Sequence, residues 1–143
     1  MIWGLVLAIH ILSAVIWVGG MFFALLVLRP SLGVLEPSQR LALHGQVFRR
    51  FFLIVWHLMP LALLTGYAML FGVYGGFAGA DWSVNVMQLF GLIMAAVFVV
   101  IFVAPWRSFR SGRTAALDTI RRLVMVNLVL GLVTVAVAAL GWR

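Results

Sequence analysis

Four long runs of apolar residues, each closed by charge, proline or glycine, divide this chain. The first extends over about 2–28 and stops at Arg29-Pro30, where a charge coincides with a ring that an ongoing helix tolerates poorly. The second follows Arg49-Arg50 and covers about 51–72, and the third covers about 84–104, ending at Pro105-Trp106. The fourth covers about 117–141, opens with Asp118 and Arg121-Arg122, and closes on Trp142-Arg143. Crossing roughly 30 Å of hydrocarbon takes about 20 apolar residues in a helix. Each run therefore predicts one crossing, and the chain reads as a single all-α domain over 1–143, a four-transmembrane-helix bundle.

The connections carry their own signals. Pro37-Ser38 ahead of Leu41, Leu43 and Val47 predicts a brief interfacial helix leading into the second span. The glycine-rich stretch 73–80, ending at Asp81-Trp82, predicts a tight turn at the water interface. A cleavable leader has a basic start and a short apolar core of about 7 to 15 residues. The opening run is uncharged and longer, so it is expected to remain as a membrane helix.

Composition removes the soluble alternatives. Of 143 residues, 66% are hydrophobic and 9% charged, with a mean hydropathy of +1.22, too apolar for a water-exposed domain. The formal charge of +7 comes from ten arginines against Glu36, Asp81 and Asp118. These arginines sit beside the spans, with no basic helix outside them, which argues for topology and anionic lipid and against nucleic acid. Arg29, Arg40, Arg49 and Arg50 follow the first span, and Arg107, Arg110, Arg113, Arg121 and Arg122 lie between the third and the start of the fourth. Both Arg-rich loops are thus expected to be cytoplasmic, with both termini and the glycine loop outside, in a bacterial inner membrane. The absence of cysteine excludes disulfides, thiolate metal sites, iron–sulfur clusters and thioether-attached haem.

Ionisable residues at membrane depth are costly and tend to face a bundle interior. His10 and His57 meet that description, at roughly 12 and 22 Å from the outer ends of their spans by helical rise. The same count sets Ser13, Thr65, Met94 and Thr134 near His10 and makes Asn127 the expected hydrogen-bond partner of His57. His44 reads as an interfacial side chain. Gly19-Gly20, Thr65-Gly66, Gly91 and Gly131 are expected to mark close helix contacts. Buried imidazole is a common ligand of haem iron, so His10 and His57 are candidate axial ligands, with Met94 as an alternative to His57. Arg49-Arg50 and Arg121-Arg122 are positioned to pair with propionates. Copper is the other metal, because Cu(I) favours thioether and imidazole, yet Met21, Met59, Met69, Met87, Met94 and Met125 do not cluster along the sequence and read mostly as packing. The spans lack the carboxylates of a proton-coupled transporter and the charged third member of a hydrolase triad.

His10 within LAIHILSAVIWVGGMFFALLVLRP, the FRRFF start of the second span, LLTGYAML at its end and RRLVMVNLVLG in the fourth together resemble the copper-resistance protein D (CopD)-like family, which is related to HemJ-type protoporphyrinogen oxidases. The HemJ-like branch implies b-type haem and a functional first-helix histidine, which maps onto His10. Gln88 with no lysine nearby, and the missing Asn-Glu-x-Pro-like stretch before the last helix, depart from that branch. The CopD branch implies copper uptake or resistance, often beside a periplasmic copper carrier. The expectation is accordingly a haem b binding redox protein exchanging electrons with a quinol, or with a porphyrin as substrate. Copper uptake and a non-catalytic place in a larger membrane complex are the alternatives, and homo-oligomer formation stays open.

Overall fold

The computed structural model describes residues 1–141, so the predicted close of the last span on Trp142-Arg143 lies outside the described residues. The chain forms α1 (Ile2–Phe22), α2 (Arg29–Ser31), α3 (Pro37–Gly72), α4 (Trp82–Val103), α5 (Pro105–Arg110) and α6 (Ala116–Leu140). Among the described residues, four helical rods are long and apolar enough to cross a membrane: Ile2–Val34, Pro37–Gly72, Trp82–Arg110 and Ala116–Leu140.

Two predicted boundaries move, for physical reasons. The first helix does not stop at Arg29-Pro30. A prolyl ring lacks an N–H and crowds the carbonyl four residues back, and the helix responds by widening: Phe23–Leu28 is a π-segment, and the Arg29 N–H donates to the Ala24 carbonyl, five residues earlier. The helix then runs through α2 into a 3₁₀ turn at Leu32–Val34. The interfacial helix and the second span are likewise one rod, α3. A reciprocal cap starts it, with the Glu36 N–H donating to Gln39 Oε1 and Pro37 in the first turn. At 36 residues, about 1.5 Å each, α3 is far longer than the hydrocarbon is thick, and its first turns project beyond it.

The rods close into a ring in which α1 packs on α3 and α4 on α6, while α1 with α6 and α3 with α4 complete the circuit. Successive rods run antiparallel, as short loops between spans require. Glycines set the closest approaches. A Cβ on Gly20 would run into the Phe51 ring, one on Gly72 into Trp3, and one on Gly131 would lie 2.7 Å from Val18 and 3.2 Å from Met94. Gly19 and Gly91 face open space, so those two expected contacts are not made.

The Arg-rich half of the core is an aromatic stack. Phe52 meets Phe48, Phe98 and Trp106 at ring-centroid distances of 5.3, 5.8 and 5.1 Å. Stretch 105–110, predicted as a linker, is α5, which folds Trp106 under the bundle at 3% exposure. The outer surface inverts that of a soluble protein, with Leu5, Leu12, Val15, Leu53, Leu64, Val129 and Val135 all exposed. Only lipid solvates such a surface without aggregation.

Candidate functional site

Polar groups occur inside the bundle at three levels. Nearest the glycine loop, His10 Nδ1 lies 2.9 Å from the Ala62 carbonyl and 3.1 Å from Thr65 Oγ1. A carbonyl only accepts, so Nδ1 carries the proton and Nε2 keeps a free lone pair. The Thr65 hydroxyl donates to the Leu61 carbonyl at 2.6 Å, which turns its oxygen toward His10 as an acceptor. Gly66 makes room for the ring, since a Cβ there would stand 3.1 Å from His10 Cε1. From α4, Gln88 Nε2 donates to the Gly66 carbonyl at 3.3 Å. His10 is thus held by α3 and overlooked by α4, with Thr65 beside it as the depth count predicts.

The middle level belongs to Asn127 and methionines. Asn127 is 1% exposed and its Nδ2 donates to the Met94 carbonyl at 3.0 Å. Its Oδ1 is buried and has no hydrogen-bond partner among the described residues. Met21, Met59 and Met94, one each from α1, α3 and α4, are all buried in the bundle's hydrophobic core, which also holds the aromatic stack. The sequence did not show which methionines are inside, because lipid-facing and bundle-facing positions are equally apolar.

Three expectations about this interior are corrected. His57 is exposed on the outer face of α3, where Nδ1 donates to the Leu53 carbonyl of its own helix at 2.8 Å; that local acceptor satisfies it without an interior partner. Asn127 accordingly bonds Met94 and not His57. Met94 packs at Gly131, away from the His10 seat at Gly66.

The third level, at the Arg-rich end, holds the residue undervalued in the sequence. His44 is 4% exposed and stacked on Phe48 at 5.8 Å. Its Nε2 accepts from Arg121 Nη2 at 2.8 Å, while Arg121 Nη1 pairs with Asp118 at 3.1 Å. The signal was available in α3 as a single rod: His44, Phe48 and Phe52 follow at i, i+4 and i+8 on one face, and that face is the buried one. Arg122 is exposed on the neighbouring face of α6, and Arg49 and Arg50 are exposed on α3. Among the described residues there is no cluster of three or more His, Cys, Asp or Glu side chains. The interior does offer thioether, imidazole and amide oxygen, from the buried methionines, His10 and Asn127.

Fold and interior together define a multi-pass membrane bundle whose buried polar side chains are uncharged, closed at one end by arginine. A family model described as copper resistance protein D matches residues 45–140, more than half of the chain. The chain belongs to the copper resistance protein D (CopD) family. The matched segment contains most of α3 and all of α4, α5 and α6, and α1 with His10 precedes it. No curated protein and no solved structure matches the chain.

Proposed function

We propose that this protein carries copper, as Cu(I), across a bacterial inner membrane through the interior of the bundle. The observation that supports this most is that the buried core of the bundle holds three methionines, Met21, Met59 and Met94, one on each of three helices. Thioether and imidazole are the ligand types Cu(I) prefers, and neither requires deprotonation to bind at membrane depth. The free Nε2 of His10 offers an imidazole toward the glycine-loop end, and the unpaired Asn127 Oδ1 adds a buried acceptor at the methionine level. Met125, exposed beside the arginines, continues the soft ligands to the other end. The family description agrees in naming copper resistance.

The test compares total cell copper, under copper loading, in cells producing wild type, His10→Ala, the M59L/M94L double variant and His57→Ala. Leu conserves most of the Met volume while removing the sulfur. Production of the wild type changes cell copper; His10→Ala and M59L/M94L abolish the change, and His57→Ala retains it. Unaltered copper in wild-type cells, or a full effect with M59L/M94L, refutes the reading.

A haem b electron-transfer function, with quinol as donor, has one observation in its favour. An Nδ1–H held by a backbone carbonyl with Nε2 free is how axial histidines are oriented. The pair His10 and His57 does not fit as axial ligands, because His57 faces outward and bonds within α3. Protein purified from haem-supplied cells decides it: a Soret band lost in His10→Ala supports this second reading, and a colourless preparation eliminates it.

A further inference from the structure

Where α2, α3 and α6 meet at the Arg-rich end, three arginines converge on one cleft without enough negative charge to balance them. Arg29, Asp118, Arg121, Arg122 and Met125 line this space of about 500 Å³. Arg121 is built in: His44 and Asp118 hold its two terminal nitrogens, and its Nε is buried with no acceptor. Arg29 and Arg122 have no hydrogen-bond partner among the described residues. Asp118 is the one carboxylate in the lining, and it is committed to Arg121, leaving two guanidinium charges uncompensated. Guanidinium groups lining one cleft at a membrane surface favour an anion between them.

We propose that this cleft binds a phosphate group, with Arg29 and Arg122 as its clamp and the His44–Arg121–Asp118 chain as its rigid floor. Guanidinium matches phosphate oxygens with paired, planar donors. Met125 supplies an apolar wall beside the charges, as the glycerol and acyl portion of a phospholipid would need. The chemistry is shared by a lipid head group and by free phosphate, and the site is independent of what the bundle interior transports.

Native mass spectrometry and thermal melting of the full purified chain test this, with dioleoylphosphatidylglycerol, dioleoylphosphatidylcholine and inorganic phosphate as separate probes. The double variant R29Q/R122Q is compared with R110Q/R113Q, which removes equal charge from the same end but outside the cleft. Phosphatidylglycerol is expected to remain on the wild type and on R110Q/R113Q, and to bind R29Q/R122Q roughly thirtyfold more weakly for two lost arginine contacts. Retention that survives added inorganic phosphate identifies a lipid head group as the ligand. A melting shift with inorganic phosphate alone, absent in R29Q/R122Q, identifies free phosphate. If the double variant fails to fold, R122Q alone carries the comparison, because that side chain is exposed. Equal loss in both double variants shows diffuse charge attraction and overturns the site, as does wild-type protein that responds to neither anion.

Discussion

At the level of single residues, this bundle is controlled by what glycine omits and by where a few polar atoms find partners. Gly131 and Gly91 make a direct contrast. A methyl group at Gly131 meets Val18 and Met94, whereas one at Gly91 meets nothing within 4 Å. Gly131→Ala should destabilise by about 1–3 kcal/mol through overpacking, while Gly91→Ala should be neutral or stabilise by up to roughly 1 kcal/mol, the ordinary helical gain over glycine. Thermal melts of the two variants in one detergent check the difference, and equal melting temperatures would contradict it. His44 makes a second test. His44→Leu strips the acceptor from Arg121 Nη2 and should cost about 1–3 kcal/mol; His44→Gln, which retains an acceptor oxygen, should recover part of that loss.

Among the elements, α5 is the one whose importance the linker-like composition hid. Its arginines, serine and following glycine resemble a solvated connection, yet Trp106 and Phe109 fold back, ring on ring at 5.8 Å, with Trp106 against Phe52. Trp106 is nearly fully buried, so Trp106→Ala should cost about 3–5 kcal/mol. The cost should concentrate at the Arg-rich end: amides of 105–110 should exchange hydrogen faster in the variant, while α1 amides around His10 remain protected. Uniform exchange across both ends would instead mean that the aromatic stack and the His10 level unfold as one unit. The π-segment ahead of Pro30 makes the related point that proline in a membrane rod need not end it, because a backbone that loses one acceptor pairing can re-register its hydrogen bonds.

For the molecule as a whole, the arginine distribution predicts a direction, and the lack of native cysteine makes that direction easy to measure. Ala78 and Ser111 are exposed in the loops at opposite ends. Ala78→Cys should react with a membrane-impermeant maleimide added to intact spheroplasts, and Ser111→Cys only after permeabilisation. The reverse pattern would invert the assigned topology, placing the phosphate cleft on the outer surface. For the copper path proposed above, the same experiment defines whether His10 or the Arg-rich end would meet the ion first.

Four crossings, their order and the gathering of arginine at one end were legible in the sequence, because lipid imposes a length and an apolar composition on every span. Family membership was legible too, from motifs spread over the helices. The identity of the interior was not: lipid-facing and bundle-facing positions are equally apolar, so periodicity gives no reliable inner face in such a chain. His10, His57, Met59 and Met94 looked comparable along the sequence, and only helix rotation turned His57 outward while burying Met21, Met59 and Met94. His44 joined Arg121 for the same reason, as a contact 77 residues apart that exists only once α3 and α6 are packed into one ring.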